Sequence, residues 1–257
     1  MRAMKLVLPC TLLLLCSLAA QEKTEPKADA KSEPKSDRFR VGLALASGTV
    51  HFDEGAPFDD STSAGLVRLQ FEFVGNKQFG AGIRIESLVS DNDLFRSASA
   101  ASEERNRDVF AHVTWRFGSD RFTMPLRLGV IVNRLEIEAD ATGETSDFRS
   151  VGPYVELAPE VTLASAGKTR WSLYGEGGIG WTRTRIELDA VSQKFDSSTV
   201  FVGAELGTRL AFGMFEIGLA YVGRFQHMER SDPENGSSVA SFDANFQGAL
   251  LSFALRF

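Results

Sequence analysis

The chain has 257 residues, 43% apolar and 24% charged, with a formal net charge of −6 and a mean hydropathy of −0.09. That is enough for one large β domain or two small ones, and too apolar for a wholly disordered chain. The acidic balance argues against nucleic acid as a partner, and beyond the first twenty residues no run of about 18 apolar residues offers a membrane-spanning helix.

The opening carries basic Arg2 and Lys5, an apolar run from Leu6 to Ala20, then Gln21-Glu22-Lys23. This is the layout of a secretory signal peptide over residues 1–20, too short for a comfortable transmembrane helix. Ser17-Leu18-Ala19 and Leu18-Ala19-Ala20 both end on a small residue at the cut. A lipid anchor on Cys16 is the rival, against which Leu15 is bulky where such a site takes a small residue. Both cysteines, Cys10 and Cys16, fall in this segment, so the exported part has none. Removing its two basic residues from 28 leaves 26 against 34 acidic ones, or −8. Residues 21–38 are Lys, Glu, Pro, Ala and Ser, with Glu-Pro-Lys at 25–27 and again at 33–35. That composition reads as a disordered tether.

From Phe39 the hydropathy period is two. It predicts ten strands near 39–52, 62–74, 79–89, 107–117, 122–138, 148–163, 170–186, 198–211, 214–225 and 242–257. Short polar or Gly-bearing connections at Gly75–Gln78, Gly118–Arg121, Ala164–Thr169 and 211–214 make hairpins. Longer loops fall near 53–61, 90–106, 139–146, 187–197 and 226–241. Short turns alternating with long loops predict an all-β fold: a closed antiparallel up-and-down transmembrane β-barrel over 39–257, of about ten strands, with eight as the alternative. Pro125, Pro153 and Pro159 interrupt these strands. A closed barrel has no edge at which to hide a missing N–H, so bulges or irregular pairing are expected there.

Alternation alone also fits a soluble barrel with its apolar set inward. The placement of aromatics decides the sense. Phe39, Phe71, Phe73, Phe79, Trp115, Phe117, Phe122, Trp171, Phe212, Phe215 and Phe257 all fall beside short turns or chain ends. Folded, they form one ring, which suits a membrane–water boundary. The opposite face carries Arg68, Glu72, Arg84, Glu86, Arg116, Arg127, Glu156, Glu176, Glu205, Arg209, Glu216 and Arg224, interleaved with glycines. With Arg40, Arg256 and Glu160 the inward set is eight basic and seven acidic residues. Such a set suits a narrow interior where charges find partners.

The chain ends on Leu251-Ser252-Phe253-Ala254-Leu255-Arg256-Phe257, an alternation that stops on Phe. Here the sequence resembles the bacterial outer-membrane β-barrel superfamily, as a pattern over 39–257. The resemblance implies that Phe253, Leu255 and Phe257 are the signal read by the barrel-assembly machinery. It also implies an outer-membrane location, with outer-membrane lipid and lipopolysaccharide as partners. The short turns, the tether and both chain ends then face the periplasm.

Barrels of about eight strands are filled by their own side chains, whereas open channels need around sixteen. The inward Arg and Glu are therefore expected to form a polar plug. The expected function is a non-enzymatic barrel with a structural or surface-binding role through loops 90–106, 187–197 and 226–241; a narrow, weakly selective pore is the alternative. An enzyme is the third. Asp91-Asn92-Asp93 resembles half of the omptin protease site, but 187–197 contains no histidine to act as general base. Arg224-Phe225-Gln226-His227 resembles the opening of the outer-membrane lipid A deacylase motif, but Glu229 stands where the nucleophilic Ser is needed. His227 then reads as a strand-end residue, His112 as part of the lumen network, and His51 has no cluster around it. No metal-ligand spacing or phosphate loop is present, so no cofactor is expected.

Overall fold

The computed structural model describes residues 39–53, 59–75, 78–90, 102–119, 121–139, 145–188, 193–232 and 237–257. The expected signal peptide and tether, together with Asp91 and Asp93, lie outside the described residues.

The strands are β1 (Phe39–Asp53), β2 (Asp59–Val74), β3 (Phe79–Ser90), β4 (Ser102–Gly118), β5 (Phe122–Ala139), β6 (Thr145–Leu157), β7 (Glu160–Ala166), β8 (Thr169–Leu188), β9 (Gln193–Phe212), β10 (Phe215–Met228) and β11 (Phe242–Arg256). Consecutive strands pair antiparallel, except that β6 and β7 both pair with β5 and β8 instead of with each other, and β1 pairs with β11 from Arg40↔Arg256 to Asp53↔Asp243. The ring is therefore closed. Backbone bonds in both directions between Phe39 and Phe257, at 2.9 and 3.0 Å, complete the seam. β6 and β7 are one stave broken at Ala158-Pro159, so eleven segments make a ten-stave barrel.

The break has a local cause. Residues of a strand point their own N–H and C=O to the same side. Pro125 O accepts from Ala158 N at 2.9 Å, so the missing donor of Pro125 faces the break. Pro159 O accepts from Gly175 N at 2.9 Å, so its own missing donor faces β8. Two absent N–H groups at one level stop regular pairing. Beyond the break β7 resumes pairing with β8 in the register of β6, and a bulge between Thr162 and Ala164 then shifts that register by one residue. Pro153 has a milder effect: pairing of β6 with β8 skips 152 and 153 without a shift.

At the loop end most strands run one to five residues beyond the expected ends, the most where β4 starts at Ser102 and β9 at Gln193. The short turns are tight. Gly213, at φ 60°, takes the left-handed conformation that closes β9 onto β10 at little steric cost.

The outward face is apolar over a limited height. On β8 it runs from Trp171 through Leu173 and Ile179 to Trp181, the last 65% exposed. Ten residue steps span about 33 Å along the strand. A strand tilt near 40° reduces this to about 25 Å, the height of a barrel's lipid-facing band. Beyond Trp181 the same outward positions become Arg183, Arg185 and Glu187, while Thr184 and Ile186 turn inward and are buried. The parity of the strand is unchanged but its chemistry inverts. On β8 the outward face is thus apolar below this level and charged above it, where the inward face carries both polar Thr184 and apolar Ile186.

Candidate functional site

The lumen has three levels, counted from the turn end. The first is charged. Arg40 pairs with Glu72 (3.4 Å) and Glu216 (2.7 Å). Glu216 also takes Arg209 at 2.9 Å and Arg256, and Arg209 reaches Glu160 at 3.0 Å. Glu72 passes the chain to Arg127 (2.8 Å), which holds Glu156 (2.5 Å) and Glu176 (3.3 Å). Arg84 binds Glu156 at 2.8 Å and Glu86 at 3.2 Å. Arg68 spans Glu86 and Glu205, both at 2.8 Å, and Arg224 closes on Glu86 at 3.1 Å.

The expected lumen residues are thus brought into one connected network. The exception is Arg116, which lies inward but has no ion pair among the described residues, and whose Nη1 lacks a partner. Its neighbour Glu72 is already held by Arg40 and Arg127. Buried ion pairs need such multiple satisfaction, because desolvation otherwise exceeds the Coulombic gain. Tyr174 Oη donates to Glu205 at 2.7 Å, and the Arg209 guanidinium lies 4.2 Å from the Tyr174 ring centroid.

The second level is aromatic and amide-rich. Phe110, Ile131, Tyr154 and Phe201 form a buried cluster, with Tyr154 edge-on to Phe110 at 4.4 Å. The interleaved glycines make room for these rings: a Cβ on Gly178 would stand 2.3 Å from Tyr154 Oη. His112 is buried and stacks on Phe110 at 4.8 Å, with neither ring nitrogen hydrogen-bonded among the described residues. It is a packed lumen residue outside the ion-pair network. Asn133 donates to Asp108 at 2.7 Å and to Asn106 at 2.5 Å. Ser150, Thr184 and Thr199 share hydroxyl hydrogen bonds of 2.7 and 2.6 Å. A cavity of about 60 Å³ remains here, bordered by Arg84, Asp108, Phe110 and Phe246. It has room for a few waters.

The third level was missed by sequence reasoning. Leu135, Phe148, Ile186, Phe195, Met228 and Phe242 form a buried apolar cap, with Phe148 edge-on to Phe242 at 5.7 Å. A signal existed. In Arg183-Thr-Arg-Ile-Glu-Leu and Arg134-Leu-Glu-Ile-Glu, the charges take outward parity and the apolar residues inward parity.

On the outer surface the expected aromatic ring is present at the turn end. Phe71, Phe73, Phe79, Trp115, Phe117, Trp171 and Phe215 are exposed, and Phe122 at the same level is half-buried. Ring contacts join Phe39 to Phe73 (5.2 Å) and to Phe257 (6.2 Å), and Phe79 to Trp115 (6.0 Å). Phe253, Leu255 and Phe257 lie outward in β11 and just past its end. His227 is also outward. Its Nδ1 is hydrogen-bonded to Asp243, its register partner on β11, and Ser198 donates to Glu229 nearby. Among the described residues no group of three or more His, Cys, Asp or Glu is placed to hold a metal.

No family model matches the sequence, and no curated protein does. Among solved structures the chain is similar to the outer membrane protease OmpT from Escherichia coli, at 10% identity and a TM-score of 0.53, covering 87% of this chain and 98% of that one. It also matches Neisserial surface protein A at 8% identity and a TM-score of 0.41, covering 85% and 97%. The fold of this chain is that of the bacterial outer-membrane β-barrels.

Proposed function

We propose that the protein is a non-enzymatic outer-membrane barrel with a closed lumen, acting as a structural element or through ligands bound by its loop end. In this reading the tether and both chain ends are periplasmic. The observation that carries it is the stacking of two unlike seals. The ion-pair network crosses the lumen from Arg256 to Arg224, and an apolar cap from Leu135 to Phe242 closes the other end. A conducting path would have to break several buried pairs and also wet a dry cap. The likeness to OmpT is one of fold at 10% identity and brings no protease activity with it. His227 lies on the outer surface against Asp243, with a glutamate where the deacylase motif needs its hydroxyl.

The test is conductance of the refolded full chain in a planar bilayer. The expected record has no steady single-channel steps; regular steps would overturn the closed lumen in favour of a narrow pore. Loss of a lipid-modifying activity on His227→Ala would overturn the non-enzymatic reading.

A further inference from the structure

Where the apolar band ends, four arginines stand directly opposite one another on four adjacent staves. Arg107 on β4 faces Arg134 on β5, Arg134 faces Arg149 on β6, and Arg149 faces Arg185 on β8. All four point outward. The row just below them is Val109, Val132, Val151 and then Arg183. The row just above contains Glu136, Asp147 and Glu187.

Like charges directly opposite in a sheet destabilise it, and this row holds three such pairs in succession. The acids above offset part of the repulsion. Asp147 accepts from Arg134 at 3.0 Å and from Arg149 at 2.6 Å, and Glu187 lies 3.6 Å from Arg185. On the flank, Asp196 of β9, the register partner of Arg185, takes Arg183 at 3.1 Å. The side chains of Arg149, Arg183 and Arg185 remain 56%, 81% and 60% exposed. Arg107 has no ion pair among the described residues. A guanidinium has five N–H donors, so one carboxylate leaves most of them open.

The patch is one-sided. Beyond the band, β1 and β11 present Thr49, Gln247 and Asn245 outward. A general preference for cations at a membrane surface would put arginines all round the barrel. We propose that this row, with Arg183, is a binding site for the phosphate groups of lipopolysaccharide in the outer leaflet. Arginine matches phosphate in geometry, offering paired N–H donors. The level fits too, because the last apolar residues beneath the row mark where acyl chains give way to headgroups. The inference rests on the outer-membrane placement proposed above, with the loop end outside.

The experiment uses the full chain refolded in detergent micelles and titrated with lipopolysaccharide. Its comparison ligands are enzymatically dephosphorylated lipopolysaccharide, phosphatidylglycerol and inorganic phosphate. The variant is Arg107→Gln, Arg149→Gln, Arg183→Gln and Arg185→Gln together; Arg121→Gln with Lys168→Gln at the turn end is the control. The expected result is at least a tenfold loss of affinity in the fourfold variant and for the dephosphorylated ligand, with the control unchanged. Undiminished binding in the fourfold variant overturns the proposal. So does equal affinity for phosphatidylglycerol, which would make the patch a general anionic-lipid surface, or full competition by millimolar inorganic phosphate, which would make it a soluble-anion site. Quenching of tryptophan fluorescence by brominated lipid in vesicles tests insertion separately. An inserted barrel indifferent to the fourfold change sinks the phosphate site alone, whereas failure to insert sinks the membrane reading beneath it.

Discussion

Glu86 shows how much the lumen depends on single groups. It is buried and holds Arg68, Arg84 and Arg224 at 2.8, 3.2 and 3.1 Å. Neutralising it leaves three guanidiniums short of a counter-charge. Glu86→Gln should cost about 3–5 kcal/mol, read as a lower urea midpoint for the barrel in lipid vesicles. Asp196→Asn, which removes the exposed partner of Arg183, should leave the midpoint unchanged. Equal shifts would show that the network has no special weight. Gly178 tests the aromatic level. An added methyl meets Tyr154 Oη at 2.3 Å, so Gly178→Ala should destabilise by about 1–3 kcal/mol. Adding Tyr154→Leu should recover part of that loss by the same denaturation measurement. The inward parity of these residues was legible from alternation with Arg and Glu. Their partners were not: Arg68 and Glu205 are 137 residues apart, and their meeting depends on how the ring closes.

At the scale of elements, the break between β6 and β7 was legible in part. Pro153 and Pro159 announce irregular pairing, but only the fold sets Pro125 against the break. Amides from Leu157 to Val161 should therefore exchange hydrogen faster than those of β11 between Gln247 and Phe253, because unbroken pairing with β1 and β10 protects the latter on both sides. Exchange followed by mass spectrometry checks this, and uniform protection across both stretches would mean that the prolines are accommodated without loss. The loop ends of the strands were underestimated for another reason. Within the apolar band the alternation is simple, apolar outward. Above the band the outward residues are charged and the inward ones are mixed, as at Ser150 and Phe148, so the period-two signal reverses sense and looks like a loop.

For the whole molecule, closure is the central fact, since it pairs the last strand with the first. Phe257 ends this seam through its backbone, while its side chain is 56% exposed with the ring centroid 6.2 Å from that of Phe39. Its contribution to folded stability should be small, and its proposed role is recognition during assembly. Phe257→Ala should lower the folded barrel recovered from outer-membrane fractions severalfold, judged by gel mobility with and without heating. The purified variant should still refold in detergent with an unchanged urea midpoint. A lowered midpoint would make the residue a structural one instead.

The amino-acid order alone determined the strand period, the four short turns, the inward parity of the charges and the aromatic ring, because each depends on neighbours two residues apart or on a single turn. Three things were decided only in three dimensions: which arginine meets which glutamate, the apolar cap, and the alignment of Arg107, Arg134, Arg149 and Arg185 in one row. Those depend on register between staves far apart in the chain, and register is fixed only when ten staves close with a common tilt.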